Sequence, residues 1–147
     1  MNVIAIREAM GELLKTVPGI RWANGYPPDN LGTFPAAWCG LFDTPVSYMA
    51  GMEDNEHLVP VVVVVERVAG RLDKNLKAVE TLQEAFMVTM RANFGLPTFV
   101  DPNDPDNKVN SAMVQRIRQD TVRIGETPYI GFVADVLVTH KFGVTLG

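Results

Sequence analysis

The most informative apolar pattern in the chain is a run of five valines at residues 61–65. Leu58, Val59 and Val68 flank this run. Side chains alternate between the two faces of a strand, so the run predicts a β-strand over residues 58–68 that is apolar on both faces. Both apolar faces of such a strand must be covered by other parts of the structure. The two predicted helices are too few to cover both faces. The pattern therefore favours closure of one face by another copy of the protein, and assembly over catalysis.

Two segments carry apolar residues at helical spacing. The first begins near Val3 and is stopped by the Pro-Gly pair at residues 18–19. The second begins at Leu72 and runs to about Asn93, and Gly95 is the expected left-handed residue that ends it. The apolar positions are Ile6, Met10, Leu13, Leu14 and Val17 in the first segment and Leu76, Val79, Leu82, Phe86 and Met90 in the second.

The first half of the chain also predicts short strands separated by turns. Residues 20–22 predict a short strand, and the turn-rich residues 24–35 predict an irregular surface segment. Residues 36–42 and 46–50 predict one interrupted strand or two short ones. The acidic residues 51–57 predict a solvent-exposed hairpin tip before the valine strand, because their carboxylates cannot be buried together.

The last third of the chain predicts one loop and one hairpin. Residues 101–107 contain two prolines among Asp and Asn, and we expect them to form an exposed loop. Residues 112–124 and 129–142 alternate as paired strands do, with Gly125 and Pro128 marking the turn between them.

Together these elements predict an α+β fold, a mostly antiparallel β-sheet with two amphipathic helices packed on it. The 147 residues fit a single domain over residues 1–147, since a chain of ~150 residues buries roughly 68–70% of its surface in one core. The net charge of -4 disfavours a sequence-reading nucleic-acid binder, although it allows a surface that surrounds DNA. No window of ~20 apolar residues occurs, so we expect cytoplasmic synthesis and no membrane contact.

Candidate catalytic chemistry is sparse. Cys39 lies in an apolar stretch, and we interpret it as a small, buried apolar residue. His57 and His140 have no second His, Cys or carboxylate three or four residues after them. His57 follows an acidic run, which favours a solvated polar turn over a surface metal site.

No phosphate-binding, dinucleotide-binding or nucleophile-elbow motif occurs in the sequence. The acidic residues at 101–112 fail the spacing of a calcium loop, since Pro105 and Ala112 stand where that loop needs ligands. We therefore expect no catalytic residue, no metal and no cofactor.

Charged and aromatic residues supply candidate interface positions. Arg116, Arg118 and Arg123 form the one basic cluster, with Lys108 nearby. Carboxylates at residues 120 and 126 are interleaved with it, which favours a solvated strand face over a face that meets an acidic subunit or a phosphate backbone. The aromatic residues fit core packing, although Trp and Tyr also anchor interfaces. The candidate contacts to a neighbouring subunit or partner are Trp38, Phe42, Tyr48, Glu53, Asp54, Glu56, Arg116, Arg118 and Arg123.

The order of the elements resembles that of the tail terminator, or tail-completion, proteins of long-tailed bacteriophages. A first helix ends in the sequence LKTVPG at residues 14–19, and a Pro-rich approach covers residues 26–37. A hairpin with the valine strand, a helix from Leu72 and a last strand that opens with Tyr-Ile-Gly at residues 129–131 follow. The resemblance spans nearly the whole chain, and residues 101–107 have no counterpart in it.

The resemblance implies a ring, hexameric in that family, that caps the tail tube, ends its polymerisation and provides the surface for joining the head. The implied partners are further copies of the chain, the tail tube protein and the head–tail connector or neck proteins, with DNA only passing through the lumen. The implied location is the head-proximal end of the virion tail. A ring closes through heterologous contacts between identical subunits, for which apolar and aromatic strand surface is suited.

Three alternatives stay open at the level of sequence. The chain fits a head–tail connector ring component, whose sequence would be equally free of catalytic motifs. It also fits a small ligand-binding α+β module. An enzyme that uses His57 or His140 is the third alternative.

Overall fold

The computed structural model describes residues 3–44, 46–49, 52–68, 72–102 and 108–143. It confirms an α+β fold in which two helices pack on a mostly antiparallel sheet. The elements are α1 (Val3–Leu14), β1 (Trp22–Ala23), β2 (Ala36–Cys39), β3 (Val46–Met49), β4 (Met52–Arg67), α2 (Leu72–Ala92), β5 (Val109–Ile124) and β6 (Thr127–Gly143).

The six described strands form one sheet in the order β1-β2-β4-β6-β5, with β3 paired to β4 beyond the end of β2. Among the strands that the structure describes, only β1 and β2 pair in parallel, and every other pair is antiparallel. A tight turn at Gly125, whose φ is 62°, joins β5 to β6. Glycine adopts this left-handed conformation without steric cost, so the turn falls where the sequence places it.

One face of the sheet forms the main core beneath the helices. Val59, Val61 and Val63 of β4 are fully buried on this face. The α1 helix packs against β2, and α2 packs across β4, β5 and β6. The buried helical residues are Ile6, Ala9, Met10, Leu13 and Leu14 in α1 and Val79, Leu82, Phe86 and Met90 in α2.

The opposite face of the sheet carries a second, smaller core around Val64. The side chain of Val64 is fully buried there with Trp38 and Tyr129. Leu31 and Phe34, from the irregular segment before β2, pack against this cluster, and the Phe34 ring stacks on Tyr129 at 5.1 Å. The chain itself therefore covers this part of the second face, where the sequence favoured another copy.

The predicted hairpin tip at residues 51–57 is wrong, because β4 begins at Met52 and continues through the acidic residues. Here β4 is flanked on both sides, by β3 and by β6. Asp, Asn and Glu are poor strand formers. Pairing along both edges of the strand overrides that local preference.

Two further expectations need correction. The left-handed residue after α2 is Leu96, with φ 50°, and not Gly95. Leu96 is 1% exposed, so burial of its side chain offsets the backbone strain. The loop at residues 101–107 is not exposed at its start, because Asp101 is 5% exposed; residues 103–107 lie outside the described residues.

Candidate subunit interface

The β5 strand is one outer edge of the sheet and pairs with β6 alone among the described strands. The Ala112 N–H points away from β6 and donates to the Phe94 carbonyl oxygen at 2.7 Å. The Thr121 N–H donates to Oδ1 of the adjacent Asp120 at 2.8 Å, also away from β6. Backbone groups alternate in direction along a strand, so those of Ile117 and Gln119 point outward with Thr121. Hydrogen bonds within the chain thus satisfy the outward N–H groups of Ala112 and Thr121, and the strand edge between these two residues can still pair with another strand.

The structure divides the basic cluster between two faces. Arg116 and Arg118 are exposed at alternating positions and share the face that bears the second core. Nε of Arg118 contacts Oδ2 of Asp120 at 3.4 Å, a surface ion pair that contributes little stability. Arg123 is exposed on the helix side of the sheet, the side on which Gln119 Nε2 donates to Gln83 Oε1 at 3.2 Å.

An apolar groove lies where α2 ends beside β5, and the sequence did not single it out. Its cavity is about 290 Å³. Phe94 is 49% exposed and Met113 is 44% exposed, so two large apolar side chains face solvent side by side in this groove. The lining residues are Met87, Met90, Arg91, Phe94, Ala112, Met113 and Val114. Methionine side chains are adaptable, so such a groove accepts varied apolar partners.

On the side of the sheet opposite β5, β3 forms the edge beyond the end of β2. It pairs with β4 in the register Val46↔Asn55 to Met49↔Met52, and among the described strands it has no second neighbour. Tyr48 is the register partner of Glu53, and Ser47 is that of Asp54. The side chains of residues 46–55 lie outside the described residues, and Glu56 is exposed. The segment 46–57 contains three carboxylates and no Lys or Arg.

The two aromatic candidates near β2 do not share a surface. Trp38 is 7% exposed in the second core, so the chain itself buries it. Phe42 is half-buried on the helix side, where the Arg7 guanidinium carbon lies 4.4 Å from its ring centroid. Neither Trp38 nor Phe42 lies on the β5 edge or on the β3 edge.

His57 is fully buried, so its assignment to a solvated polar turn is wrong. It continues the inward row of Val59 and Val61 along β4, and its Nδ1 lies 3.0 Å from Thr44 Oγ1. The two-residue period of β4 is the signal that identifies it. His140 lies in β6, where it pairs with Asn55 of β4.

Cys39 is fully buried, which confirms its interpretation as a core residue. Burial raises the pKa of its thiol to about 12, while the nearby Arg7 charge acts in the opposite direction. The thiolate is the nucleophilic form of cysteine, so a buried thiol of this kind is inert at neutral pH.

Within the described ranges, no group of three or more His, Cys, Asp or Glu side chains is placed to hold a metal ion. A surface cleft of about 330 Å³ lies between α1 and the turn at Gly25, lined mainly by polar residues such as Glu8, Glu12 and Lys15. No helix in the part of the chain that the structure describes has the length and apolarity to cross a bilayer. No protein-family model matches the chain, and no curated protein matches its sequence.

Proposed function

We propose that this chain is a structural component of a bacteriophage tail, a tail terminator that forms a ring on the tail tube. In this role it ends tube polymerisation and provides the surface to which the head or neck attaches. Its action is geometric and uses no bound cofactor. The ring is a homo-oligomer, hexameric by the resemblance.

The observation that carries the proposal is a sheet with both outer edges left unpaired by the described strands of one chain. The long β5 strand forms one edge, and the opposite edge is formed by β1 and, beyond the end of β2, by β3. Monomeric proteins usually shorten or cover such edges, because exposed backbone donors and acceptors recruit further strands. Edges at opposite ends of one sheet suit head-to-tail contacts, which form a ring when the rotation from one subunit to the next closes.

The order of elements supports the same function. The structure has the succession of helix, short strands, valine strand, second helix and final hairpin on which the resemblance to tail terminators rests. The exposed groove at Phe94 and Met113 adds apolar surface beside β5. Such surface beside an open edge favours an assembling protein over a monomeric binder.

The test has two readouts, the particle mass of the purified chain and its effect on tail tubes. We expect a ring mass by native mass spectrometry, either alone or after mixing with tubes of the same phage. We also expect the protein to stop tube growth and to restore head joining in extracts that lack terminator but contain neck proteins. A chain that stays monomeric with tubes and restores nothing would contradict the proposal.

The matched experiment uses extracts that lack the neck protein instead. A tail terminator restores only the terminator-deficient extract. A connector component would restore only the neck-deficient extract, and that result would replace the proposed function with the connector alternative.

A further inference from the structure

The apolar groove beside β5 opens at the outer edge of the sheet. Met87 and Arg91 of α2 line it together with Phe94, which follows the helix, and Met113 lines it from β5. A second cleft of about 390 Å³ shares Met87 and Arg91 and continues the groove along α2. The groove therefore offers exposed apolar surface with a cation beside it.

The opposite side of the sheet carries an apolar side chain that the chain leaves in solvent. Leu41 is 89% exposed, the highest value among the large apolar side chains that the structure describes. Hydrogen bonds join Gly40 and Asp43 to β4, and between them two residues of this segment lie opposite one residue of β4, as in a β-bulge. Of these two residues, Phe42 packs against the main core and Leu41 does not. Leu41 is thus a projecting apolar side chain that the fold of one chain does not use.

Leu41 and the groove lie at the same level of the sheet. Asp43 pairs with Leu58 of β4, Leu58 pairs with Leu137 of β6, and Leu137 pairs with Met113 of β5. This row of partners crosses the sheet from the segment that holds Leu41 to the strand that borders the groove. Rotation about a ring axis that runs along the strands preserves the level of each residue, so the two ends of the row meet in neighbouring copies.

The two ends of the row also differ in charge. Asp43 and Arg91 are both exposed, and neither forms an ion pair among the described residues. Asp43 shares the sheet face of Met113, because directly paired residues point to the same side of a sheet. A carboxylate near Leu41 and a cation at the groove favour contact between these two surfaces over contact of either surface with itself.

We propose that the ring closes by insertion of Leu41 of one copy into the groove of the next, with Asp43 beside Arg91. The inference rests on the proposed function and specifies its subunit contact. An apolar side chain that enters a pocket elsewhere on an identical molecule makes a heterologous contact, the kind from which rings are built. The ring axis runs along the strands, and the apolar insertion supplies more of the affinity than the exposed ion pair does.

Disulfide trapping tests which surfaces meet. Leu41→Cys and Met113→Cys are combined in a Cys39→Ala chain, under the condition in which the wild type gives a ring mass, alone or with tubes. Within one chain β4 and β6 separate the two positions, so this disulfide forms only between copies. Mild oxidation should give a ladder from dimer up to ring size on a denaturing gel without reductant. Each single-cysteine variant is the control and should give nothing larger than a dimer.

Removal of the projecting side chain tests the apolar part of the contact. We expect Leu41→Ser to remain folded by circular dichroism and to need about tenfold or more subunit concentration for half-assembly. The matched control is Ile4→Ser, because Ile4 is 66% exposed on α1, and it should assemble as wild type.

Charge exchange tests the pairing of Asp43 with Arg91. Asp43→Arg and Arg91→Asp each bring like charges together, and we expect each to assemble more weakly than the wild type. The double variant restores opposite charges at every contact and should recover most of the loss. Lys74→Glu is the control on an exposed position of α2 and should have no effect. Single variants that assemble as wild type would overturn the ion pair.

The outcomes separate this contact from the proposed function. A double-cysteine variant with a ring mass but no ladder, or normal assembly of Leu41→Ser, overturns the insertion of Leu41. If the wild type nevertheless forms a ring and caps tail tubes, the proposed function stands. A wild type that neither forms a ring nor binds tubes overturns both.

Discussion

The guanidinium group of Arg7 lies over the ring of Phe42, with 4.4 Å between the guanidinium carbon and the ring centroid. The same group donates to the carbonyl oxygens of Gly25, Cys39 and Gly40 at 2.9, 2.9 and 2.8 Å. One side chain thus joins α1 to the end of β2 and to the turn before it. The planar fork of Arg provides several donors at once while its face contacts an aromatic ring.

Replacing Arg7 with Lys should lower the free energy of unfolding by about 2 kcal/mol or more, because an ammonium group cannot reach all these acceptors. Urea denaturation followed by fluorescence measures the loss. The exposed Arg21 is the matched control, and Arg21→Lys should change stability by less than about 0.5 kcal/mol. Equal stability of Arg7→Lys and wild type would show that the carbonyl contacts contribute nothing.

Gly131 and Val63 mark a close approach of β6 to β4. A Cβ atom on Gly131 would lie 1.9 Å from the Val63 carbonyl oxygen, beside the irregularity between Val64 and Glu66. Gly131→Ala must separate two central strands, and we expect a loss of about 3 kcal/mol or more in the free energy of unfolding. Thermal unfolding gives the readout. Gly32→Ala is the control, since no atom lies within 4 Å of a Cβ there, and a similar loss in both variants would contradict the steric explanation.

Local sequence pattern predicts the fold class because apolar periodicity reflects burial directly. The helix that starts at Leu72 and the hairpin with Gly125 at its turn follow from spacing and turn chemistry. The strand at Glu53 and Asp54 does not, because it depends on hydrogen bonds from β3 and β6 that local propensity cannot reveal.

The candidate interface shows the same limit. Alternation along β5 is enough to separate Arg123 from Arg116 and Arg118 once the strand is recognised. Sheet order is a different matter, since it is set by packing between distant segments, and it alone identifies β5 as an edge. The groove at Phe94 depends on where α2 ends beside that edge, so it had no signal in the sequence.

Introducing a charge at Val63 tests the buried valine row. Val63 is fully buried between the helices and the sheet, so Val63→Asp places an unpaired carboxylate in the core. We expect a cost of several kcal/mol, on the order of what a marginally stable domain can lose, and therefore mostly unfolded protein. Val88→Asp is the control, because Val88 is 65% exposed on α2. Circular dichroism at 25 °C distinguishes the two variants, and a folded Val63→Asp protein would contradict the burial.

The buried thiol of Cys39 gives a pH-dependent prediction. Burial raises its pKa from the ordinary 9.0 to about 12 in the folded chain, so the unfolded chain loses this proton first as pH rises. The stability that depends on this proton is complete below pH 9 and is lost as pH rises from 9 towards 12. The free energy of unfolding of wild type relative to Cys39→Ala should therefore fall by about 1.4 kcal/mol per pH unit in this window. Urea denaturation at several pH values between 8 and 10.5 measures the slope, and a difference that does not change with pH would exclude the raised pKa.

At pH 8 a thiol reagent should label the urea-unfolded chain rapidly and the folded chain only as fast as it opens, because the reagent attacks an accessible thiolate.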